Sequence, residues 1–393
     1  MAAPVSRTTV LVVCMADSIH SARWIEQFRD QPVDFVLFPS TPNRHVHPRL
    51  GALLRQDAGS GLTLRIAPFG GKLSIPLWGL DLVLDDHVRG VLLRRAIRRL
   101  RPDFVHALEL NSGGYVASRA YAGVESSMPP LIATNWGSDI FWFQRNPKHA
   151  QRIGDLMKRA RYYSAECNRD IDLAITHGFT GDAFDVFPNA GGFAAAQLAA
   201  EHSRPSERSL VVVKGYEGWV GRASIALKAI ELAKDQFAGR AIVVYSANLK
   251  TQRIARSLAR RLGLDITVHA KRALSHQQML ELFASARAYL GISLSDGIST
   301  SLLEAMVAGA YPIQTNTSCA DEWIVDGSTG SIVDAADIEG IAAALRRALS
   351  DDALVDAAAG ANHEVALARL GDDAIRRKSF RFYGLSPIDI SSA

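Results

Sequence analysis

Residues 290–333 read LGISLSDGISTSLLEAMVAGAYPIQTNTSCADEWIVDGSTGSIV, and this stretch decides the fold. Its apolar beginning predicts a buried strand over 288–292, and a polar loop follows. The next residues predict a short helix over 301–308, ended by Gly309, and then a second strand over 311–315. Such a strand–loop–helix–strand unit is typical of a parallel α/β sheet, in which ligands bind at the carboxyl ends of the strands.

The start of this helix favours an anion. The first amides of a helix have no partner within it and the helix dipole is positive there, so Ser299–Ser301 offer a site for phosphate. Glu304, one turn inside the helix, is poorly placed for phosphate but well placed to accept hydrogen bonds from sugar hydroxyls. The alternative is that Ser301 and Glu304 form a capping box, which requires no ligand.

The spacing Asp296-x7-Glu304 resembles the E-x7-E segment of the retaining glycosyltransferases of family 4, which have two Rossmann-like domains (the GT-B fold). The first acid is Asp here rather than the usual Glu. The match also includes Ala305-Met306, Gly309 and the later Glu322-x4-Gly327-x2-Gly330. The resemblance implies that Asp296 and Gly297 contact the donor sugar, that the helix start meets the diphosphate and that Glu304 binds the ribose. The donor-binding residues it implies in this segment are Gly297, Ile298, Ser299, Thr300, Ser301 and Glu304, with Asp296 as a catalytic residue.

Two cations flank a glycine-rich turn earlier in the chain. Lys214 and Arg222 lie between a predicted strand and a predicted helix, where glycines let backbone approach a ligand and the cations can neutralise a diphosphate. The alternative is that both are ordinary surface cations. Relatives usually carry the arginine first, so the cations are exchanged here and the loop is longer. The resemblance implies that Lys214 and Arg222 are catalytic, that Gly215 contacts the donor and that Lys271 lies near the nucleotide base.

The N-terminal half opens with a strand over 9–15, a helix over 21–28 and a strand over 33–38, which resembles the family's acceptor domain. The family's Gly-Gly pair is replaced by Asp17-Ser18-Ile19-His20. Trp136 stands where many relatives carry a histidine beside the reacting sugar, which leaves open whether this loop assists the reaction. The residues expected on this side of the cleft are Asp17, Ser18, His20, His106, Trp136, Gly137 and Asp139. For His20 the alternative is a helix-start residue, and for His106 and Asp139 it is a structural role.

The segment 88–100, VRGVLLRRAIRRL, predicts a basic amphipathic helix. Its arginines, with the one that follows, are Arg89, Arg94, Arg95, Arg98, Arg99 and Arg101. Such a helix can rest on anionic lipid, and enzymes that resemble this chain often take lipid-linked acceptors. We therefore expect peripheral membrane contact through 88–101. The alternative is a solvated arginine face on a helix that packs on its own sheet.

The length of 393 residues and the apolar content of 48% favour two ordinary globular domains. We expect an N-terminal acceptor domain over 1–195, a nucleotide-sugar domain over 209–365 and a crossing tail over 366–393, with segments 172–176 and 185–187 framing the last N-terminal strands. Three scattered cysteines argue against a disulfide framework. The chain shows neither a signal peptide nor an apolar run of about 18 residues, so we expect a cytoplasmic protein that can associate with the inner face of the membrane. The net charge of only +4 indicates no nucleic-acid partner.

The resemblance implies a retaining glycosyltransferase that moves a sugar from a nucleotide-sugar to a glycan or lipid-linked acceptor during polysaccharide assembly. The nucleotide-sugar is then a substrate, and no cofactor is expected. The pairs Asp85-Asp86 and Asp372-Asp373 lie outside the predicted cleft, so we expect no metal. The alternatives are a catalytically silent nucleotide-sugar-binding module and a nucleotide-sugar epimerase. The sequence specifies neither the base, the sugar and the acceptor nor the oligomeric state.

Overall fold

The computed structural model describes residues 7–41, 45–55, 61–67, 74–198 and 202–386 of the chain. The chain forms two compact units, of which the first is Met1–Gly192 with Asp372–Ala393 and the second is Phe193–Gly371. In the described part of the chain, no helix combines the length and the apolar character needed to cross a membrane.

The first unit is built on a seven-stranded parallel sheet with the order β3-β2-β1-β4-β5-β6-β7. Its strands are β1 (Thr8–Cys14), β2 (Val33–Pro39), β3 (Thr63–Ile66), β4 (Phe104–Ala107), β5 (Leu131–Thr134), β6 (Tyr162–Ser164) and β7 (Asp182–Ala183). Its helices in chain order are α1 (Ile19–Glu26), α2 (Pro48–Leu53), α3 (Ser74–Val83), α4 (His87–Leu100), α5 (Tyr115–Tyr121), α6 (Ser138–Phe141), α7 (Pro147–Met157) and α8 (Asn168–Thr176).

The second unit has a six-stranded parallel sheet with the order β10-β9-β8-β11-β12-β13. Its strands are β8 (Leu210–Lys214), β9 (Ala241–Ala247), β10 (Asp265–Ala270), β11 (Ala286–Gly291), β12 (Tyr311–Thr315) and β13 (Ser331–Val333). Its helices are α9 (Ala195–Leu198), α10 (Ala223–Leu232), α11 (Leu249–Leu262), α12 (His276–Ala284), α13 (Thr300–Val307), α14 (Ile338–Ser350) and α15 (Asp352–Arg369). The chain then returns to the first unit through α16 (Asp372–Phe380).

Continuous apolar strands explain why both sheets are covered on both faces. Every residue of β11 is buried, as are the five apolar residues that end β1. A parallel strand with this pattern has one core on each face, and each unit contains two hydrophobic clusters. The predicted α/β class with two Rossmann-like domains is confirmed.

The returning tail is an integral part of the first unit's core. The Phe382 ring stacks on Phe184 with the ring centroids 3.8 Å apart. The Tyr383 hydroxyl accepts a hydrogen bond from Trp24 Nε1 (2.9 Å) and pairs with His106 Nδ1 (2.7 Å). This buried aromatic cluster gives the tail its anchor.

His106 belongs to this core. Its side chain is fully buried, and Nε2 pairs with Thr134 Oγ1 at 2.6 Å. Burial lowers the pKa of His106 to about 3, so the ring is neutral near pH 7. Both nitrogens of His106 are thus used within the unit, which favours the structural alternative for this residue.

Several predicted boundaries shift. Segment 172–176 lies in α8, in which Ile171, Leu173 and Ala174 pack on the core while Ile175 is exposed. The short strand β6 has no apolar run that could reveal it. The second unit ends at Gly371, so the returning tail begins at Asp372 rather than at 366. Phe193 N donates to Leu370 O at 2.8 Å, so the chain enters and leaves the second unit side by side. Residues 199–201, between the two predicted domains, and residues 387–393 of the predicted tail lie outside the described residues.

Candidate functional site

The loop between β11 and α13 ends in a helix start that no side chain caps. Ser299 is the N-cap residue, and its carbonyl oxygen accepts the first intrahelical hydrogen bonds, from Leu302 N (2.8 Å) and Leu303 N (3.2 Å). The amides of Thr300 and Ser301 precede those bonds and therefore point out of the helix end. The amino end of α13 thus keeps the partial positive charge that suits an anion.

The capping-box alternative is excluded by the partners of its two residues. Ser301 lies inside α13 rather than at its N-cap, and its Oγ accepts a hydrogen bond from Tyr245 Oη at 2.7 Å. Glu304 directs its Oε1 to His276 Nε2 at 3.1 Å. Both side chains are therefore engaged with other elements of the second unit.

Lys214 brings a full positive charge to the same place. It is the last residue of β8, and its Nζ lies 3.4 Å from Ser299 Oγ and 3.7 Å from Asp296 Oδ2. Burial alone would lower the pKa of the Lys214 ammonium, but Tyr289, Asp296 and Glu304 outweigh it and raise the pKa above its ordinary value. The ammonium therefore stays charged at neutral pH.

Two backbone amides of the Asp296 loop are hydrogen-bonded. Asp296 N donates to Thr317 O at 3.1 Å, and Asp296 Oδ1 accepts from Gly297 N at 3.1 Å. Gly297 and Ile298 are buried, whereas Asp296 and Thr300 are half-buried. The structure therefore brings Asp296, Ser299, Thr300, Ser301, Glu304 and Lys214 together within one unit.

Arg222 is placed differently from Lys214. Its backbone N donates to Ile292 O at 3.0 Å, which puts its loop beside the end of β11. Its guanidinium, however, donates to Gly218 O (2.7 Å) and Gly221 O (2.8 Å) in its own loop. Lys214 is therefore the cation whose contact with the helix start the structure shows.

Gly215 and Lys271 also sit at strand ends of the second unit. A Cβ on Gly215 would lie 2.4 Å from Tyr245 O, so close packing of β8 on β9 explains this glycine without a ligand. Lys271 is exposed directly after β10, with its Nζ 5.9 Å from the centre of the Tyr216 ring. A flat aromatic face beside a cation is compatible with a nucleotide base.

In the first unit, the loops after β1 and β5 bring two aromatic side chains together. Asp17 is exposed, and Ser18 caps α1 by accepting from His20 N at 3.2 Å. The rings of His20 and Trp136 are 5.1 Å apart. His20 is thus a helix-start residue that also packs on the tryptophan.

Asp139 holds the Trp136 loop in place. It is buried, and its carboxylate accepts from Trp136 N (3.0 Å) and Leu110 N (2.9 Å). Burial raises the pKa of Asp139 to about 7, although these two amides act against the rise. Gly137 in the same loop has φ +88°, a backbone conformation that is strained for any residue with a side chain. Asp139 and Gly137 thus both shape this loop, and their contacts with a substrate stay a prediction.

The acidic pair after α3 is occupied by cations of the protein. Asp85 pairs with Arg119, Arg152 and Lys148, and Asp86 pairs with Arg89 and Arg152. Both carboxylates are thus paired with cations of the protein itself.

Two family models match the sequence. The one described as Glycosyl transferases group 1 matches residues 197–363, and the one described as Glycosyl transferase 4-like matches residues 91–169. Residues 197–363 belong to the group 1 glycosyltransferase family, and the chain is a glycosyltransferase. The predictions of a glycosyltransferase family and of a glycosyl-transferring enzyme are confirmed. Comparison with curated protein sequences gave no match.

Solved structures similar to this glycosyltransferase cover nearly the whole chain. Anabaena HepE in complex with UDP-glucose is 14% identical with a TM-score of 0.67, covering 95% of this chain and 98% of that one. Sucrose-phosphate synthase from Thermosynechococcus elongatus is 13% identical with a TM-score of 0.69, covering 96% and 98%. The lipopolysaccharide outer core galactosyltransferase WaaB is 15% identical with a TM-score of 0.65, covering 95% and 98%. At such identities the likeness shows the fold, and the predicted GT-B fold is confirmed.

Sequence reasoning missed three residues of the site, namely Tyr245, His276 and Tyr289. The tyrosines lie in apolar strands and so look like core residues, but Tyr245 Oη donates to Ser301 Oγ, and Tyr289 interacts electrostatically with Lys214. His276 is distant from Glu304 in sequence and carries no local signal. The only hint was that each is a polar-tipped side chain at the carboxyl end of a strand or at a helix start.

A close fit behind Lys214 depends on Gly291. A Cβ at this position would lie 2.3 Å from both Tyr289 Oη and Gln314 Oε1, and Tyr289 and Gln314 are fully buried. The glycine thus lets a tyrosine hydroxyl reach along the strand toward the site.

We expect Gly291→Ala to destabilise the second unit by about 1–3 kcal/mol, because the tyrosine ring has no space into which to move. Hydrogen exchange of β11 and β12 measures the effect as lost protection. Gly360→Ala is the matched control, since a Cβ there meets no atom within 4 Å and the position lies inside α15. Unchanged protection in Gly291→Ala would contradict this close fit.

Proposed function

We propose that the chain transfers a sugar, with retention of configuration and without a metal, from a nucleoside diphosphate sugar to a glycan or lipid-linked acceptor. The observation that carries the proposal is the position of Lys214 Nζ, 3.4 Å from Ser299 Oγ at the uncapped amino end of α13. A fixed ammonium and outward-pointing amides at one point suit a pyrophosphate.

The chemistry follows from where charge develops. As the bond from the anomeric carbon to the diphosphate oxygen breaks, negative charge grows on the departing phosphate, and donors fixed in advance lower the barrier. The acceptor hydroxyl oxygen bonds to the anomeric carbon from the same face and its proton passes to the departing phosphate, so no protein nucleophile is needed. Lys214 supplies the main cation in this proposal. Arg222 supplies a second one when the diphosphate replaces the loop carbonyls as the acceptor of its guanidinium.

Asp296 and Glu304 bind hydroxyl groups on either side of the diphosphate. Asp296 lies in the loop before the helix and Glu304 one turn inside it, so the two carboxylates flank the anion site along the chain. Ionised carboxylates accept hydrogen bonds only, which suits sugar and ribose hydroxyls. HepE, which shares the fold, binds UDP-glucose, and a UDP-sugar is therefore the first donor to test.

A donor screen with UDP-, GDP- and ADP-sugars tests the reaction. We expect release of free nucleotide from one donor, accelerated by acceptor, and the same turnover after treatment with EDTA. An isomerised nucleotide-sugar would show an epimerase, and binding without release would show a silent module. Activity that EDTA abolishes and Mg²⁺ or Mn²⁺ restores would contradict a metal-free mechanism.

The role of Glu304 is tested by Glu304→Ala. We expect nucleoside diphosphate binding to weaken about 10- to 100-fold, because a hydrogen bond to a charged group contributes about 1.5–3 kcal/mol. Titration calorimetry measures the affinity, and thermal unfolding should change little because Glu304 does not cap its helix. Glu281→Ala, an exposed acid on α12, is the control. A variant that loses stability but keeps its affinity would show that Glu304 is structural.

Membrane contact is the second part of the proposal. In α4, Arg89 faces inward to Asp81, and Arg94 donates to Ala120 O and Ala122 O. The arginines that remain exposed are Arg95, Arg98, Arg99 and Arg101. The preceding segment exposes apolar side chains at Leu80, Val83 and Leu84. Exposed cations on α4, with exposed apolar residues in the segment that precedes this helix, suit an anionic lipid surface.

We expect the protein to sediment with phosphatidylglycerol vesicles at low salt and to be released at high salt. The triple change of Arg95, Arg98 and Arg99 to Gln should abolish sedimentation, because each cation near an anionic surface contributes about 1 kcal/mol. The same change at Arg253, Arg256 and Arg260, exposed on α11 of the second unit, is the matched control. Failure of the unaltered protein to bind at low salt would reject the contact.

A further inference from the structure

We infer that His276 is a positioning residue for the ribose of the donor, and that it acts by holding the Glu304 carboxylate in a fixed orientation. The inference rests on the proposed function, since it assigns a partner to the carboxylate that the proposal gives to the ribose. It adds a specificity role to a residue on a different helix.

His276 and Glu304 are in direct contact, and only the histidine is well exposed to solvent. His276 Nε2 lies 3.1 Å from Glu304 Oε1. The Glu304 side chain is 8% exposed, whereas that of His276 is 51% exposed. The carboxylate thus sits under the imidazole at the edge of the site, and the imidazole is reachable from solvent.

The position of His276 is fixed by a capping box at the start of α12. Ser275 Oγ accepts from Gln278 N at 3.2 Å, and Gln278 Oε1 accepts from Ser275 N at 2.8 Å. Phe283 of the same helix is fully buried in the core. The capping box fixes the start of α12, and the buried Phe283 fixes the packed face of this helix. The backbone that carries the His276 imidazole is therefore rigid.

A carboxylate can serve His276 and a ribose at the same time. Its two oxygens offer about four acceptor sites, of which the imidazole takes one on Oε1. Sites on both oxygens remain for two neighbouring hydroxyls. Lys214 and Tyr245 also lie within electrostatic reach of Glu304. Of these groups, His276 is the one whose hydrogen bond defines how the carboxylate is turned.

A fixed carboxylate loses less rotational freedom when the ribose binds. Ordering one flexible side chain costs an amount that corresponds to about 3- to 15-fold in affinity. Loss of His276 should weaken the binding of nucleotides with both ribose hydroxyls, because only these bind the carboxylate in the orientation that His276 fixes. A general loss of stability would weaken all nucleotides equally.

The test compares UDP, GDP and ADP with their 2′-deoxy counterparts by titration calorimetry. We expect His276→Ala to weaken the best-bound ribonucleotide about 3- to 15-fold and its deoxy counterpart much less, so that discrimination falls. His276→Gln should restore most of it, because the Gln amide can donate to the same oxygen. Gln277→Ala, at the next and exposed position, is the control. In the transfer assay, KM for the donor should rise in His276→Ala while kcat stays unchanged.

An unchanged ratio of ribonucleotide to deoxynucleotide affinity in His276→Ala would overturn the inference. If the alanine variant fails to fold, a discrimination ratio in His276→Gln close to that of the unaltered protein supports the inference, and a lost one overturns it. If none of the three diphosphates binds the unaltered protein, the proposed function itself fails. Binding without any effect of His276 overturns only the positioning role of this histidine.

Discussion

Two positive groups lie side by side in the second unit, the Lys214 ammonium at the end of β8 and the amino end of α13. Like charges held together raise the free energy of the fold, and Asp296, 3.7 Å from Lys214, offsets part of that cost. A diphosphate would offset far more, because it presents several charged oxygens to the same donors. The arrangement is therefore one that a strongly anionic ligand stabilises, and the other residues of the site depend on it.

The interior behind these groups explains how the site keeps its shape. Tyr245 supports Ser301, Tyr289 reaches over Gly291 toward Lys214, and His276 holds Glu304, each from a different element. Fixed donors are useful in catalysis because they need not reorganise as charge develops. In the first unit, two buried polar residues serve packing instead. His106 anchors the returning tail and Asp139 fixes the Trp136 loop.

The fold was readable from the sequence because apolar strand runs and glycine stops are local signals. The strand over 311–315 was predicted to the residue, and the helix over 301–308 to within one residue. The sequence alone could not decide between the capping box and its alternative. Whether Ser301 caps a helix or accepts a hydrogen bond from Tyr245 depends on a strand far away in the chain. The same holds for His276, and for His106, whose burial is decided by a tail residue 277 positions later. Residues that meet only through the tertiary fold leave no pattern of their own.

We propose that Lys214 and the start of α13 bind the diphosphate of the donor. The most direct measurement compares the nucleoside diphosphate that the donor screen identifies with its monophosphate, for the unaltered protein and for Lys214→Gln. We predict a clear preference for the diphosphate that Lys214→Gln loses, while affinity for the monophosphate changes little. Equal affinity of the unaltered protein for both nucleotides, or a preference that survives the loss of Lys214, would contradict the claim.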